Sequence, residues 1–542
     1  MSKSKSSSFE QKTYEYARQW TQSRRDFLKT GAAVFSSALA GGAGLLTLAQ
    51  PAFGATPGGH IRIARGQETD TLDPQKTTLL VAHEIMWQIY DSLIYLDEKG
   101  NVYPGAAVGW EFSDDNKTVA FKLRPGVNFH DGTPLNAEAV KWSFDRHMNP
   151  ETASPTAWMY GPIDDVEVID DMTVAYHYKE PFAPLWVGLS YSYCAPVSRA
   201  AVEKYGDLFG RNPVGTGPFK FESWQPDQGI KLIRNDQHDW ATPWYNNDGK
   251  AYLESAEYIV IPEDATRIAA LTTGEVDAIS GTESVPSDKI KRLSATPGLK
   301  VFSRPAVGVY ELILNTKRPP LDDVRVRRAI NHAIDKEKLV VLTLDGQGKP
   351  AHSPVASSYA QYDPRAEARD YQYDVDKAKA LLKEAGVAEG LTLKYLNIDS
   401  YTKQAEVIQQ DLAAVGINIE ISNYPVAEWF AIGGKGEYDL SFFYYTYSDP
   451  DLIYPFFITG GGLNWSFHSN QELDDLNNKQ RIAFDPEERK QIIYRMQEII
   501  HDEAYWVNLW EGTYLAVMNE RVMGLELDVV GFHHLQDIWL EA

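Results

Sequence analysis

After Gly58-Gly59 no low-complexity linker, internal repeat or second long apolar run interrupts this chain, while strand and helix patterns alternate to its end. The roughly 490 residues beyond position 55 exceed what one hydrophobic core usually holds, so two or three lobes are required. Without a floppy connector, those lobes must be joined by ordered chain. His60-Ile61-Arg62-Ile63-Ala64 alternates at period two and is predicted to be an edge strand; Thr118–Leu123 and Thr173–Tyr178 alternate likewise. Arg325–Val341 is predicted to be helical, with Val326, Ala329, Ile330, Ala333 and Ile334 on one face. Asp374 is placed to cap a helix over Val375–Ala385 and Gly386 to stop it. Gln404–Val415 reads as a further amphipathic helix that ends at Gly416 and feeds a strand over Ile417–Ile421. The fold class that follows is α/β with mixed sheets.

The first 55 residues read as a leader. Ser23-Arg24-Arg25-Asp26-Phe27-Leu28-Lys29 is a twin-arginine export signature, and the Gly/Ala-rich apolar run from Gly31 to Leu48 is too weakly hydrophobic for an ordinary membrane span. Small residues at Ala52, Gly54 and Ala55 offer a cleavage site. The leader is basic, so the remainder is more acidic than the whole-chain charge of −23. That acidity excludes nucleic acid and anionic membrane surfaces as partners. Cys194 is the only cysteine, so no intramolecular disulfide forms even in an oxidising compartment. It is expected to be a small buried hydrophobe.

The densest pattern lies in Tyr90–Phe144. It runs through the turn Lys99-Gly100-Asn101, the Pro104-Gly105 corner, the turn Ser113-Asp114-Asp115-Asn116, Leu123-Arg124-Pro125-Gly126-Val127 and Phe129-His130-Asp131-Gly132-Thr133-Pro134-Leu135 into a helix. Further landmarks follow in order: Asn212-Pro213-Val214-Gly215-Thr216-Gly217-Pro218-Phe219, Leu314-Asn315-Thr316 with Pro320 to Ile330, Asp374 to Gly386, Gln410-Asp411-Leu412, and Asp485-Pro486-Glu487-Glu488-Arg489. Together they resemble the extracellular solute-binding proteins of family 5, the receptors of ABC importers for peptides, nickel chelates and opines.

The resemblance implies a two-lobed periplasmic-binding-protein-like fold of type II with a hinge of crossing strands. Lobe I would comprise 56–305 plus 513–542, with an inserted subdomain over about 93–200, and lobe II would span 306–512. The crossovers would fall near Val307–Leu314 and Glu511–Val517. The implied activity is capture of a small solute, peptide-like, opine-like or saccharide, and its delivery to an ABC permease in the inner membrane. A monomer in the periplasm, without a cofactor, is expected. A same-fold chaperone or chemosensory receptor, or a binder of a nickel or other metal chelate, are the alternative readings.

Three segments would supply ligand contacts: Gln67–Asp73 with Thr69, Asn397–Lys403 with Tyr401, and Phe442–Asp451 with Tyr445, Thr446, Tyr447 and Asp449, with Trp465 beyond. Alternation puts Phe443, Tyr445 and Tyr447 on one face of a strand and Phe442, Tyr444 and Thr446 on the other, one face core and the other cleft. Peptide-binding members hold the peptide ammonium with an Asp a few residues before the DP pair; here Tyr445, Thr446 and Tyr447 occupy those positions. No GxSxG, GxxxxGK[ST] or HExxH motif is present, and Gly215-Thr216-Gly217 runs into Pro218, so no enzyme is expected. The histidines show no metal-ligand spacing, and His130 is expected to be structural.

Overall fold

The computed structural model describes residues 57–541 apart from Glu98, Lys99, Pro243, Trp244, Thr282, Glu283, Ala388, Thr446, Tyr447, Ser448 and Val529. The leader and its cleavage site lie outside the described residues, as do Thr446 and Tyr447 of the candidate site.

One long mixed sheet is the spine. Its strands run in the order Ile417–Tyr424, Leu391–Ile398, Leu440–Tyr445, Leu299–Leu314, Trp506–Asn519, Ala278–Ile279, His60–Arg65, Ser255–Val260, Gly229–Arg234 and Phe219–Gln225. Two strands in the middle, Leu299–Leu314 and Trp506–Asn519, are far longer than their neighbours and pair antiparallel along their length. Their register breaks once between Pro305 and Val309 and again between Tyr310 and Glu311. Such irregularities bend a strand and sharpen its twist. Two principal apolar clusters flank the break. One gathers Ile61, Ile85, Phe121, Tyr176 and Leu232 with Phe532 from the tail, and the other gathers Leu312, Ile330, Ile408, Phe442, Ile493 and Trp506. The long strands contribute to both, Val307 and Ala516 to the first and Leu312 and Val507 to the second.

A separate four-stranded antiparallel sheet, in the order Ala107–Phe112, Thr118–Leu123, Thr173–Tyr178, Ile163–Asp170, packs on the first cluster. Its alternating strands bury Val119, Phe121 and Leu123 on one face, which is the period-two pattern of the sequence realised.

Local signals mostly hold. Asp374 accepts from the Lys377 backbone N–H and Asp485 from that of Glu488, capping the helices Val375–Glu384 and Pro486–Asp502. Gly386 and Gly416 take left-handed φ of 72° and 85° where their helices stop. Cys194 is buried, and burial pushes its thiol up to about 12. His130 bonds the Gly217 carbonyl at 3.0 Å, tying its turn to the Val214–Pro218 segment.

Two expectations need correction. His60–Arg65 is not an edge strand but an interior one, parallel to Ser255–Val260 on one side and Ala278–Ile279 on the other. Its polar alternation misleads because the polar residues find partners: Arg62 donates to Asp277 through its backbone N–H (2.8 Å) and Nε (3.2 Å), and His60 Nδ1 lies 2.8 Å from Ser255 Oγ. The second correction concerns Arg325–Val341, which is two helices, Val324–Ala333 and Lys336–Leu344. Ile334 is extended, and Asp335 caps the second helix by accepting from Lys338 N–H. The apolar period continues through the break because Val326, Ile330, Leu339 and Val340 all enter the same cluster.

Candidate ligand-binding site

The site follows from strand direction. His60–Arg65, Ser255–Val260 and Ala278–Ile279 are mutually parallel, so their carboxyl ends share one edge. Ala278 and Ile279 pair antiparallel with Met518 and Val517, so that edge points down the long strand toward Thr513. On the other side Leu391–Ile398, Ile417–Tyr424 and Leu440–Tyr445 are parallel. Leu440 pairs with Leu314 and Tyr445 with Val309, so their carboxyl ends point toward Pro305. Pro305 pairs with Thr513. Both carboxyl edges therefore run toward one place, the register break of the crossing strands. In open α/β sheets ligands bind outside the carboxyl ends of the strands.

An aromatic layer lines the second edge. Tyr310, on a crossing strand, stacks on Tyr444 (centroids 5.0 Å, 12°) and on Trp510 of the other crossing strand (4.6 Å, 11°). Tyr401, just past Ile398, stacks on Phe442 at 4.4 Å and meets Tyr310 at 5.7 Å. Tyr310, Tyr401 and Tyr444 are half-buried, whereas Phe442 and Trp510 beneath them are fully buried. Flat, rigid side chains of this kind offer large contact area at low entropic cost, with hydroxyls at the rim. The opposite face of the same strand is core: Phe443 meets Phe456 (5.0 Å), Trp465 (5.6 Å), Trp429 (5.7 Å) and Trp506 (5.8 Å). This assigns the two faces that alternation alone leaves open, with the Phe442/Tyr444 face toward the aromatic layer.

The sequence-derived candidates separate accordingly. Tyr401 joins the layer, and Tyr445 ends the strand paired with Val309. Trp465 is 1% exposed, inside the tryptophan-rich core against Trp429 and Phe430. Asp449 is turned to Arg489, whose Nη1 and Nη2 donate to its two oxygens at 2.7 and 2.6 Å, and Asp449 also caps the short turn by accepting from Asp451 N–H. Both its oxygens are engaged within the protein. Thr69 is buried at the first edge, its hydroxyl 3.3 Å from the Thr71 carbonyl. Asp73 nearby is held by Arg146. Arg365 and Arg369 both clasp Asp363 and Glu498. Sequence reading missed Tyr310 and Trp510, although both lie in or beside the stretches expected to cross between lobes.

Two buried acids flank the break. Glu511 accepts from Ser357 through N–H (3.0 Å) and Oγ (2.7 Å) and pairs with Lys349 at 3.3 Å. Glu311 faces the core, opposite Phe443 and Asn508, with neither oxygen hydrogen-bonded. Burial holds its carboxyl well above the usual carboxylate range, because the charged form is disfavoured there. On the first side the His83 ring packs tilted against Tyr191 (4.8 Å, 31°) and Tyr193 (4.4 Å, 36°), and its Nε2 accepts from Ser192 N–H at 3.2 Å. Burial lowers His83 to about 3, so it is a neutral acceptor. Among the described residues no group of three or more His, Cys, Asp or Glu side chains is placed to hold a metal ion, and no helix is long and apolar enough to cross a membrane.

Known proteins share this architecture. The glutathione-binding protein GsiB of Salmonella typhi is 30% identical over 476 residues, 84% of this chain and 90% of that protein. The structure of the ABC transporter-associated periplasmic binding protein DppA from Helicobacter pylori, in complex with peptide STSA, superposes with a TM-score of 0.77 at 28% identity, covering 90% of this chain and 99% of that one. The structure of the binding protein AgaA from A.tumefacien R10, in complex with agropinic acid, gives 0.75 at 25% identity over 89% and 99%. The fold is thus the two-lobed one of periplasmic binding proteins. Residues 101–466 match the model of the bacterial extracellular solute-binding proteins, family 5 Middle. The chain belongs to that family, the solute-binding components of ABC importers.

Proposed function

We propose that this protein captures a short peptide-like or opine-like amide between two closing lobes and delivers it to an inner-membrane permease. The lobes are 56–305 with 513–542, carrying the insertion at about 93–200, and 306–512. The observation that carries this reading is the convergence of both carboxyl edges on the register break, under the layer of Tyr310, Tyr401 and Tyr444. Bends at that break are suited to absorb the dihedral change of closure. The relatives support the ligand class, since their names and complexes refer to glutathione, a peptide and agropinic acid. Asp449, held by Arg489, is not offered to a ligand ammonium, which favours recognition by stacking and by amide hydrogen bonds over a single ion pair. Tyr445, Thr446 and Tyr447 remain the proposed rim of the site because the strand ends at Tyr445 on the carboxyl edge, beyond the stretch that Phe443 gives to the core, and the protein works as a monomer without catalysis. Export by the twin-arginine route follows from Arg24-Arg25 and the run after them.

Native mass spectrometry of the mature protein from its own periplasm, with denaturing release of what co-purifies, tests the ligand class. A single small amide-containing solute at one per chain is expected. A carbohydrate or a metal chelate in that place would overturn the class.

A further inference from the structure

Besides the crossing strands, the four-stranded-sheet region and the second cluster meet at another place. The Ala183 backbone N–H donates to the Arg481 carbonyl at 2.7 Å. Phe484 packs edge-on against Phe112 (5.3 Å, 77°), with the first apolar cluster, although Leu473 of the helix it follows belongs to the second. Phe112 is in turn backed by Trp186 at 5.6 Å. The Arg481 guanidinium lies 4.9 Å over the Phe182 ring on one side and 4.0 Å over Tyr454 on the other. It also pairs with Asp451 at 3.3 Å, and Gln480 donates to the same carboxylate. Asp451 and Asp449 belong to the turn that follows Leu440–Tyr445, and Gln480 bridges them by accepting from Arg489. Arg481 is thus bound at once to the far side of the molecule and to the turn that ends the proposed ligand-contacting segment.

We propose that Arg481 and Phe484 form a latch between the lobes that sets their open–closed equilibrium and links it to the Asp449–Asp451 turn. In this arrangement Arg481 is a positioning residue. It touches no ligand, and its cation–π contact with Phe182 exists only while the lobes meet. A displacement of the turn moves Asp451, which releases or retains the guanidinium. Contacts present in only one of two states are what shift an equilibrium between them. The inference rests on the two-lobed reading above, but its test does not require the solute.

Hydrogen exchange of ligand-free mature protein, read by mass spectrometry, is the experiment. The peptide containing Ala183 is expected to exchange slowly in the unsubstituted protein. It should exchange at least ten-fold faster in Phe484→Ala and in Phe112→Ala, which remove the contact from opposite sides. Arg481→Ala should do the same. The strand Thr118–Leu123 and the helix Pro486–Asp502 should keep their protection in all three. Fast exchange at Ala183 in the unsubstituted protein, no change in the variants, or an equal rise in the control segments would each overturn the latch. Because the readout uses empty protein, failure here leaves the transport function standing, and failure to find a solute leaves the latch standing.

Discussion

Replacing Asp449 with Ala is expected to damage stability far more than solute binding. Arg489 and Asp449 are both buried and joined by two charge-assisted hydrogen bonds of 2.7 and 2.6 Å. Removing one partner of a buried pair leaves an uncompensated charge and costs roughly 3–5 kcal/mol. Gln480 Oε1 still accepts from Arg489 Nε (3.1 Å) and Nη2 (3.0 Å), so the loss should fall toward about 3 kcal/mol at the low end of that range. Arg489→Met should cost a similar amount, and the pair Asp449→Ala with Arg489→Met should cost much less than the sum of the two single losses. Urea unfolding of the four proteins, followed by tryptophan fluorescence, gives the cycle. A loss below about 1 kcal/mol for Asp449→Ala, the scale of an exposed ion pair, would refute the reasoning. So would weakened solute binding at unchanged stability, which would place Asp449 against the ligand.

Tyr310→Ala should weaken binding of the co-purifying solute at least ten-fold while lowering the melting temperature by only a few degrees, whereas Trp465→Ala should cost about 3–5 kcal/mol of stability, as loss of a large core aromatic does; titration calorimetry and thermal melts separate the two. Glu311 keeps its proton in the folded state at pH values where the unfolded chain has lost it, so its contribution to stability falls as pH rises above the ordinary glutamate value of 4.5. Glu311→Gln should flatten that slope above about pH 4.5 in urea midpoints, and an unchanged slope would contradict a carboxyl raised by burial. Cys194, with its thiol raised to about 12 by burial, should resist an aromatic disulfide reagent at pH 8 in the native protein and react fully in urea.

Much of this fold is legible in the sequence where the signal is local. The caps at Asp374 and Asp485, the stops at Gly386 and Gly416, and the alternation in Thr118–Leu123 and Thr173–Tyr178 depend on neighbours within a few residues. The failures share a non-local cause. His60–Arg65 reads as an edge because nothing nearby reveals that Asp277 and Ser255 will satisfy Arg62 and His60. The break at Ile334 is hidden because both helices bury the same side, and only the Asp335 cap marks it. Alternation divided Phe442–Tyr447 into two faces, but which one is core depends on Trp429, Phe456, Trp465 and Trp506, brought there by tertiary packing. Tyr310 and Trp510 carried a signal that went unused: an aromatic on a strand expected to cross between lobes has a short path to the cleft. The contact of Phe112 with Phe484 had none, since the two residues lie far apart in the chain and only tertiary packing brings them into one cluster.

The central claim is that a small solute draws the two lobes together. Small-angle X-ray scattering tests it most directly, on mature protein stripped by unfolding and refolding, before and after addition of the low-molecular-mass fraction of a periplasmic extract. The account predicts a smaller radius of gyration with the extract, and a smaller change in Tyr310→Ala. An unchanged radius at every extract concentration would contradict it.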